Sequence, residues 1–298
     1  MAKKAQFSNL KTFMFVAGIC FVCALILSIL ADLLREPQAR AKELYKSKQL
    51  LLAARILSYE GHFLVKEGNQ FIPAIYDSNK QVLVAADSPP QASNRDILDI
   101  FQSRILTRLT DGEGKLYTFE EAGIEEQAYL VDNEKLGYSH LPYKLIYIVE
   151  DNLPPDTQRS IYGYVIPING YGLWDAIYGY LGLAANADTV LGMTWYDQKE
   201  TPGLGGDIAL PRWQKQFWDK VIFQKDAAGQ TDPKRARLGI KVVKTTVQET
   251  YGDSPEADSA VDGIAGASIT VTGVNEAMQS SLAPYRQFLI RAYEKGRQ

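Results

Sequence analysis

The chain has 298 residues, of which 46% are hydrophobic and 22% charged, so it can bury a sizeable core and does not have the composition of a disordered protein. Its formal net charge of −3 argues against nucleic acid as a partner, because a phosphate backbone is bound by a basic surface. The two cysteines, Cys20 and Cys23, lie in one apolar run, and the two histidines, His62 and His140, lie far apart. We therefore predict no disulfide scaffold, no metal ligands and no catalytic side chains.

The first predicted element is a transmembrane helix at residues 12–31, which follows a short N-terminal segment at residues 1–11. No charged residue lies between Lys11 and Asp32. About 20 residues, at about 1.5 Å rise each, cross the hydrocarbon core of a bilayer. A cleaved signal peptide is the weaker alternative, because the apolar run is longer than the hydrophobic region of a usual signal peptide and no cleavage site follows it closely. Basic residues flank both ends, so charge alone does not set the orientation.

Residues 32–140 are predicted to form a membrane-proximal helix and an α+β region. Apolar residues recur at helical spacing among charged ones from residue 37 to about residue 59, which indicates an amphipathic helix. Residues 71–86 are typical of a hairpin that turns at Asp77-Ser78-Asn79. The polar, turn-rich stretch at residues 87–140 indicates no particular chemistry.

Residues 141–298 are predicted to form one α+β domain around an antiparallel sheet. Residues 143–151 and 160–168 have the β-branched and aromatic bias of strands. Two further runs of this kind, at residues 176–184 and 189–197, are separated by Ala-Asn-Ala-Asp, which suits a hairpin turn. Strands followed by helices favour the α+β class.

Two helical segments are predicted to flank this sheet. The first covers residues 211–223 and has a proline at its first position. The second runs from residue 274 to the C-terminus, where apolar residues recur at helical spacing. Pro284 should kink or split this second helix, because proline removes a backbone donor from the helix interior.

Three glycine-rich segments carry the chemistry of the chain. Glycine lets backbone N–H groups approach a ligand closely, so such segments suit a phosphate or a flat ring system, although each alone could equally be a set of turns. The segments are Asn169-Gly170-Tyr171-Gly172-Leu173-Trp174, Lys199-Glu200-Thr201-Pro202-Gly203-Leu204-Gly205-Gly206, and Asp262-Gly263-Ile264-Ala265-Gly266-Ala267-Ser268-Ile269-Thr270.

Together, in this order and behind an apolar N-terminal helix, these segments resemble the FMN-binding domain of the C subunit of sodium-translocating NADH:quinone reductases. The resemblance is specific from about residue 160 to residue 273. In that family the FMN phosphate is esterified to a hydroxyl residue in a segment of the form D-G-x-S/T-G-A-T/S-x-T. The residues that match this form are Asp262, Gly263, Gly266, Ala267 and Thr270.

The resemblance places the acceptor of a covalent FMN at Ser268. Serine stands there where threonine is commoner, and Ala265 stands where serine or threonine is commoner. Thr270 and Thr272 are the alternative acceptors. Gly266 and Ala267 are small, so they leave the Ser268 hydroxyl accessible, and either threonine could be the N-cap of the following helix.

The other site residues are also implied by the resemblance. Leu173 and Trp174 would form an apolar wall, although Trp174 could equally be a core aromatic. Asp262 would contact the enzyme that attaches the flavin, or that enzyme's metal ion, or would form a turn. Glu200 to Gly206 would line the flavin, with Thr201 donating a hydrogen bond and Leu204 packing on the ring. Gly203, Gly205 and Gly206 would let the backbone approach the flavin, or would only shape the loop.

The function implied is that of an electron relay in a sodium-pumping complex of the bacterial inner membrane. No nicotinamide fingerprint is present, so NADH would be oxidised elsewhere in the complex. The partners implied are five other subunits, a flavin transferase that installs FMN from FAD, and membrane lipid. Residues 1–11 would be cytoplasmic and the soluble domain periplasmic. The alternatives are the related electron-transfer subunit of the ferredoxin-dependent ion-pumping complex and a non-redox anchor or assembly module.

Overall fold

The computed structural model of the protein describes residues 9–68, 70–155 and 157–296. Most of the predicted N-terminal segment, residues 1–8, lies outside this range. The chain divides into two compact units, Met1–Lys46 and Ser47–Gln298. All strands and the glycine-rich segments belong to the second unit.

Helix α1 (Asn9–Ala53) covers the apolar segment and the amphipathic segment that the sequence predicted as two helices. Pro37 lies inside α1, because the residues around it are good helix formers and a proline removes one hydrogen bond without always ending a helix. The helix ends before the predicted limit near residue 59, since Arg55 adopts a φ of 54°. Side chains from residue 11 to residue 43 are exposed, and the apolar part is long enough to cross a membrane.

A three-stranded antiparallel sheet follows, with strand order β1-β2-β3. The turn between β2 and β3 is the predicted one: the Asp77 carboxylate accepts hydrogen bonds from the backbone N–H groups of Asn79 and Lys80, at 3.0 and 3.2 Å. The hairpin prediction is therefore confirmed. The strands are β1 (Phe63–Glu67), β2 (Gln70–Asp77) and β3 (Val82–Ala85).

The main sheet has six antiparallel strands in the order β5-β4-β6-β7-β8-β9. The predicted antiparallel sheet is confirmed from residue 144 onward, and two strands from the stretch at residues 87–140 extend it. Helices α2 (Asn94–Arg104) and α3 (Glu126–Asn133) flank those two strands in the chain. The strands are β4 (Ile105–Thr110), β5 (Leu116–Tyr117), β6 (Lys144–Glu150), β7 (Ile161–Tyr171), β8 (Ala176–Ala184) and β9 (Val190–Asp197).

The helix predicted at residues 211–223 is wrong beyond its first turns. Helix α4 (Pro211–Gln214) passes into a 3₁₀ turn at Lys215–Phe217, and Asp219 then adopts a φ of 63°. Backbone hydrogen bonds connect Val190 with Asp219 and Lys220, and Asp188 with Ile222, so the chain after the turn pairs with the first residue of β9 and the turn before it. Tertiary pairing thus overrides the helical pattern.

The C-terminal part closes the core and carries the third glycine-rich segment. Pro284 splits the predicted helix into α6 (Ser268–Leu282) and α7 (Arg286–Lys295), as expected, but α6 begins earlier than residue 274. Before α6 come β10 (Lys241–Val242), helix α5 (Val247–Tyr251) and β11 (Ala260–Val261), with β10 and β11 paired in parallel.

Helices α6 and α7 pack on one face of the main sheet, where Ile166, Leu181 and Leu289 are fully buried. Side chains alternate along a strand, so Gly182 belongs to the other face. A Cβ at Gly182 would lie 1.9 Å from the Ala53 carbonyl oxygen, which shows that the last turn of α1 lies directly on β8.

Candidate functional site

Helix α6 lies directly against the end of β7. The Ser281 hydroxyl accepts a hydrogen bond from Asn169 N and donates one to Asn169 O, both at 3.1 Å. A Cβ at Gly273 would lie 1.9 Å from the Tyr171 carbonyl oxygen, so helix and strand backbones touch. The first glycine-rich segment is thereby held against the start of α6.

The carboxylate of Glu200 joins all three glycine-rich segments. It accepts hydrogen bonds from the backbone N–H groups of Leu173 and Trp174, at 3.1 and 2.9 Å, and from the hydroxyl of Thr270. Glu200 is only 5% exposed, so it lies beneath the site instead of lining it openly. The three segments, distant in sequence, therefore form one site around a buried acid.

The hydrogen bonds to Glu200 also set its charge state. Burial raises the pKa of this carboxyl, but the hydrogen bonds from the Thr270 hydroxyl and from the Trp174 and Leu173 backbone lower it, and the net pKa is below the usual value. Gly205 leaves room for this arrangement, since a Cβ there would lie 2.3 Å from Thr270 Oγ1 and 2.7 Å from Glu200 Oε2. Glu200 is thus ionised, and its carboxylate oxygens are occupied by hydrogen bonds from within the protein.

The three candidate acceptor hydroxyls differ in accessibility. Thr270 is 2% exposed and donates its hydroxyl to Glu200. Thr272 is exposed, and its hydroxyl donates to the Ser268 carbonyl oxygen at 2.9 Å. Ser268 is exposed, and its hydroxyl makes no hydrogen bond to any residue that the structure describes. Ser268 is therefore the hydroxyl best placed to react.

Ser268 is also the first residue of α6. The N-cap is Ala267, which has no side-chain oxygen, so the expectation that Thr270 or Thr272 caps the helix is wrong; both lie inside it. The first N–H groups of a helix have no partner within the helix, and without a capping side chain they stay available to an anion. Gly266 makes the turn into α6 with a φ of 76°.

The predicted apolar wall lies beside Ser268 and is open to solvent. Trp174 is 68% exposed, which excludes the interpretation of this side chain as a core aromatic, and Leu173 and Leu204 are also exposed. The Trp174 indole N–H donates to the Thr201 hydroxyl at 3.1 Å and so fixes the ring beside the second segment. Because an exposed indole leaves a large apolar surface in water, an open wall of this kind suits a flat ligand.

Asp262 has a structural role in this site. Its carboxylate accepts a hydrogen bond from Val247 N at 2.7 Å, at the first residue of α5. Its own N–H donates to the Gln216 side chain, and its carbonyl oxygen accepts from the Trp213 indole. These contacts support the turn-forming role over a free carboxylate that faces a ligand.

Two clefts meet at Ser268. The small cleft, about 260 Å³, is lined by members of all three segments, including Trp174 and Leu204. The large cleft, about 780 Å³, shares Ser268 and Ile269 with the small one and includes Lys241 and Lys244. Its lining also includes Tyr171 and Ile269, which stand inside the predicted motifs, whereas no motif pointed to the lysines.

The chain is similar to known proteins over most of its length. A family model described as FMN-binding domain matches residues 172–283. The C subunit of the Na(+)-translocating NADH-quinone reductase of Chlamydia caviae is 38% identical over 291 residues, covering 93% of this chain and 90% of that protein. The Pasteurella multocida protein of the same name is 28% identical over 272 residues, covering 90% and 87%.

A solved structure shares the fold. The crystal structure of the C subunit of the Na(+)-translocating NADH-quinone reductase from Parabacteroides distasonis aligns with a TM-score of 0.53 and 22% identity. The alignment covers 86% of this chain and 96% of that one.

Proposed function

We propose, since the chain belongs to the C subunit family of Na+-translocating NADH-quinone reductases, that it carries FMN on Ser268 through a phosphoester and relays electrons within that membrane complex. The observation that carries the proposal is the free, exposed Ser268 hydroxyl at the uncapped start of α6, inside the matched domain.

The residues around Ser268 fit an FMN group. The uncapped N–H groups of α6 suit the phosphate, and the exposed Leu173, Trp174 and Leu204 offer an apolar surface for a flat ring. Gly266 and Ala267 keep large side chains away from the hydroxyl. Bound FMN would supply a centre that accepts two electrons and releases them one at a time.

We assign the attachment to a flavin transferase that uses FAD as donor. The Ser268 Oγ forms a bond to the phosphorus of the riboflavin phosphate, and the bond from that phosphorus to AMP breaks. AMP leaves with the electron pair, and the hydroxyl proton passes to a base of the transferase. This chain contributes an accessible nucleophile on a fixed helix start, and covalent attachment suits a carrier that does not release its cofactor.

We also propose the setting of the relay. The apolar part of α1 would cross the bacterial inner membrane once, with the segment at residues 1–11 in the cytoplasm and the unit from Ser47 onward in the periplasm. The partners would be five other subunits, of which another oxidises NADH. The relatives described above carry the name of the quinone reductase, which favours this assignment over the related subunit of the ferredoxin-dependent complex.

The test is the full chain co-produced with a flavin transferase, analysed by in-gel flavin fluorescence and peptide mass mapping. Wild type should give a fluorescent band with the added mass on Ser268. Ser268→Ala should give a dark band with little loss of thermal stability, because one exposed hydroxyl contributes little to folding. Thr272→Ala is the matched control and should stay fluorescent. A dark wild-type band would support the non-redox anchor, and added mass on Thr270 or Thr272 would refute the acceptor.

A further inference from the structure

The large cleft carries positive charge beside the proposed acceptor. Its lining includes Lys241 and Lys244 but a single acidic residue, Glu276, whereas the whole chain has a net charge of −3. Ser268 belongs to the same lining. Positive charge collected in one cleft of an acidic protein raises the local concentration of anions there.

The backbone that bears Lys244 is fixed against the acceptor segment. Val243 N donates to the Val261 carbonyl oxygen at 3.0 Å, and Gly263 N donates to the Thr245 carbonyl oxygen at 2.9 Å. A Cβ at Gly263 would lie 2.3 Å from Val243 O and 2.8 Å from Lys244 O, so the two backbones are in contact. Gly263, at the start of the segment Asp262–Thr270, therefore packs on the backbone of Lys244.

Helix α6 is fixed to strand β10 by one side chain. The Asn275 amide accepts from Val242 N at 2.7 Å and donates to Val242 O at 2.9 Å. These two bonds replace a neighbouring strand at the edge of β10. Asn275 thus joins the middle of α6 to β10, which ends two residues before Lys244. Ser268 and Lys244 both line the large cleft.

The two lysines are not equivalent. Lys241 Nζ donates to the Tyr251 hydroxyl at 2.8 Å and lies over the Tyr251 ring. Lys244 is exposed, and its ammonium group has no hydrogen bond or ion pair with any described residue. Lys244 is the available cation of the cleft, and Lys241 adds a second positive charge that Tyr251 holds in place.

We propose that Lys244 binds the phosphate of the flavin carried on Ser268. The large cleft would then be an anion-binding subsite next to the apolar wall of Leu173, Trp174 and Leu204. The proposal rests on the proposed function. A phosphate esterified on both sides keeps one negative charge, which the ammonium group meets from the strand side while the α6 N–H groups meet it from the helix side. Lys244 is a positioning residue: it fixes the phosphate and takes no part in electron transfer.

The test is a charge series at position 244 in the full-length holoprotein, read by phosphorus NMR of the phosphodiester and by the initial rate of flavin attachment. Lys244→Gln should move the phosphorus resonance and slow attachment about threefold at low salt. Lys244→Arg should restore both readouts, because the charge returns. Half-molar salt should remove most of the rate difference, since it screens exposed charges.

Lys234→Gln is the matched control, because Lys234 is an exposed lysine outside both clefts. It should leave the resonance and the rate as in wild type. An unmoved resonance in Lys244→Gln, an equal movement in Lys234→Gln, or failure of Lys244→Arg to restore it would overturn the subsite. A wild type that gains no FMN would instead overturn the proposed function, so the two failures are distinguishable.

Discussion

At the scale of residues, the site depends on a group that lies beneath its surface. Glu200 belongs to the segment that the sequence predicted to line the flavin, yet its carboxylate is occupied by Leu173, Trp174 and Thr270. Sequence reasoning could not assign this role, because these partners lie far from Glu200 along the chain and contact is decided by the fold. It could propose Ser268 as the acceptor, because the residues that carry the family resemblance lie together in one short segment of the chain.

Replacing Glu200 should test its role as the centre of the site. Glu200→Gln keeps the shape but supplies one acceptor oxygen for three donors, so we expect a loss of about 1–3 kcal/mol in the free energy of unfolding at pH 7. The measurement is denaturant unfolding of the full chain followed by tryptophan fluorescence. Glu294→Gln, an exposed change on α7, is the control and should cost less than about 0.5 kcal/mol.

The same variant has a defined dependence on pH. The pKa of Glu200 is below its ordinary value of 4.5 in the folded chain, so its contribution to stability is complete above that value and is lost as the pH falls through the lowered folded pKa. The difference between wild type and Glu200→Gln should therefore shrink as the pH falls below 4.5. A difference that stays constant down to acid unfolding would contradict the ionised state.

At the scale of elements, regular patterns were predictable and tertiary pairings were not. Strands β6 to β9 followed from their β-branched and aromatic residues, and Pro284 marked the break between α6 and α7. The segment at residues 211–223 had a helical pattern, yet its second half pairs with the turn before β9 and the first residue of that strand. Strands β4 and β5 were missed, because β4 contains several polar residues, β5 has only two residues, and both lie in turn-rich surroundings.

The side chain of Asn275 on α6 forms a clamp on β10 through its two hydrogen bonds to the backbone of Val242. Asn275→Ala would leave both backbone groups of Val242 without a partner, so we expect a loss of about 1–3 kcal/mol and a lower midpoint of thermal unfolding. Ser280→Ala on the exposed side of the same helix is the control, and it should change stability by less than about 0.5 kcal/mol. Equal midpoints for the two variants would show that the clamp contributes nothing.

At the scale of the whole molecule, the main sheet draws on residues from both sides of the boundary predicted at residue 140. Strand β4 pairs with β6 along its whole length, so the region before that boundary is built into the unit that bears the site. The apolar run indicated a membrane segment and the order of strands and helices an α+β fold, but neither could show this pairing, because residue order says little about which strand edges meet.

The proposed orientation is a prediction about the whole chain. In a background with Cys20→Ala and Cys23→Ala, the exposed site Ala228→Cys should react with a membrane-impermeant maleimide in intact spheroplasts. Ser8→Cys in the same background should react only after the membrane is permeabilised. Reaction of Ser8→Cys alone in intact spheroplasts would reverse the proposed topology.

The contact between Ala53 and Gly182 has a practical consequence for truncation. Leu50, Leu51, Ala53 and Ala54 are almost fully buried, so the end of α1 belongs to the hydrophobic interior of the unit from Ser47 onward. A water-soluble fragment should therefore start at Ser47 or a few residues before it, after the apolar segment has ended. Starting a few residues later would remove the residues that cover this face of β8 and expose an apolar surface to water. The fragment would then aggregate for reasons unrelated to the flavin.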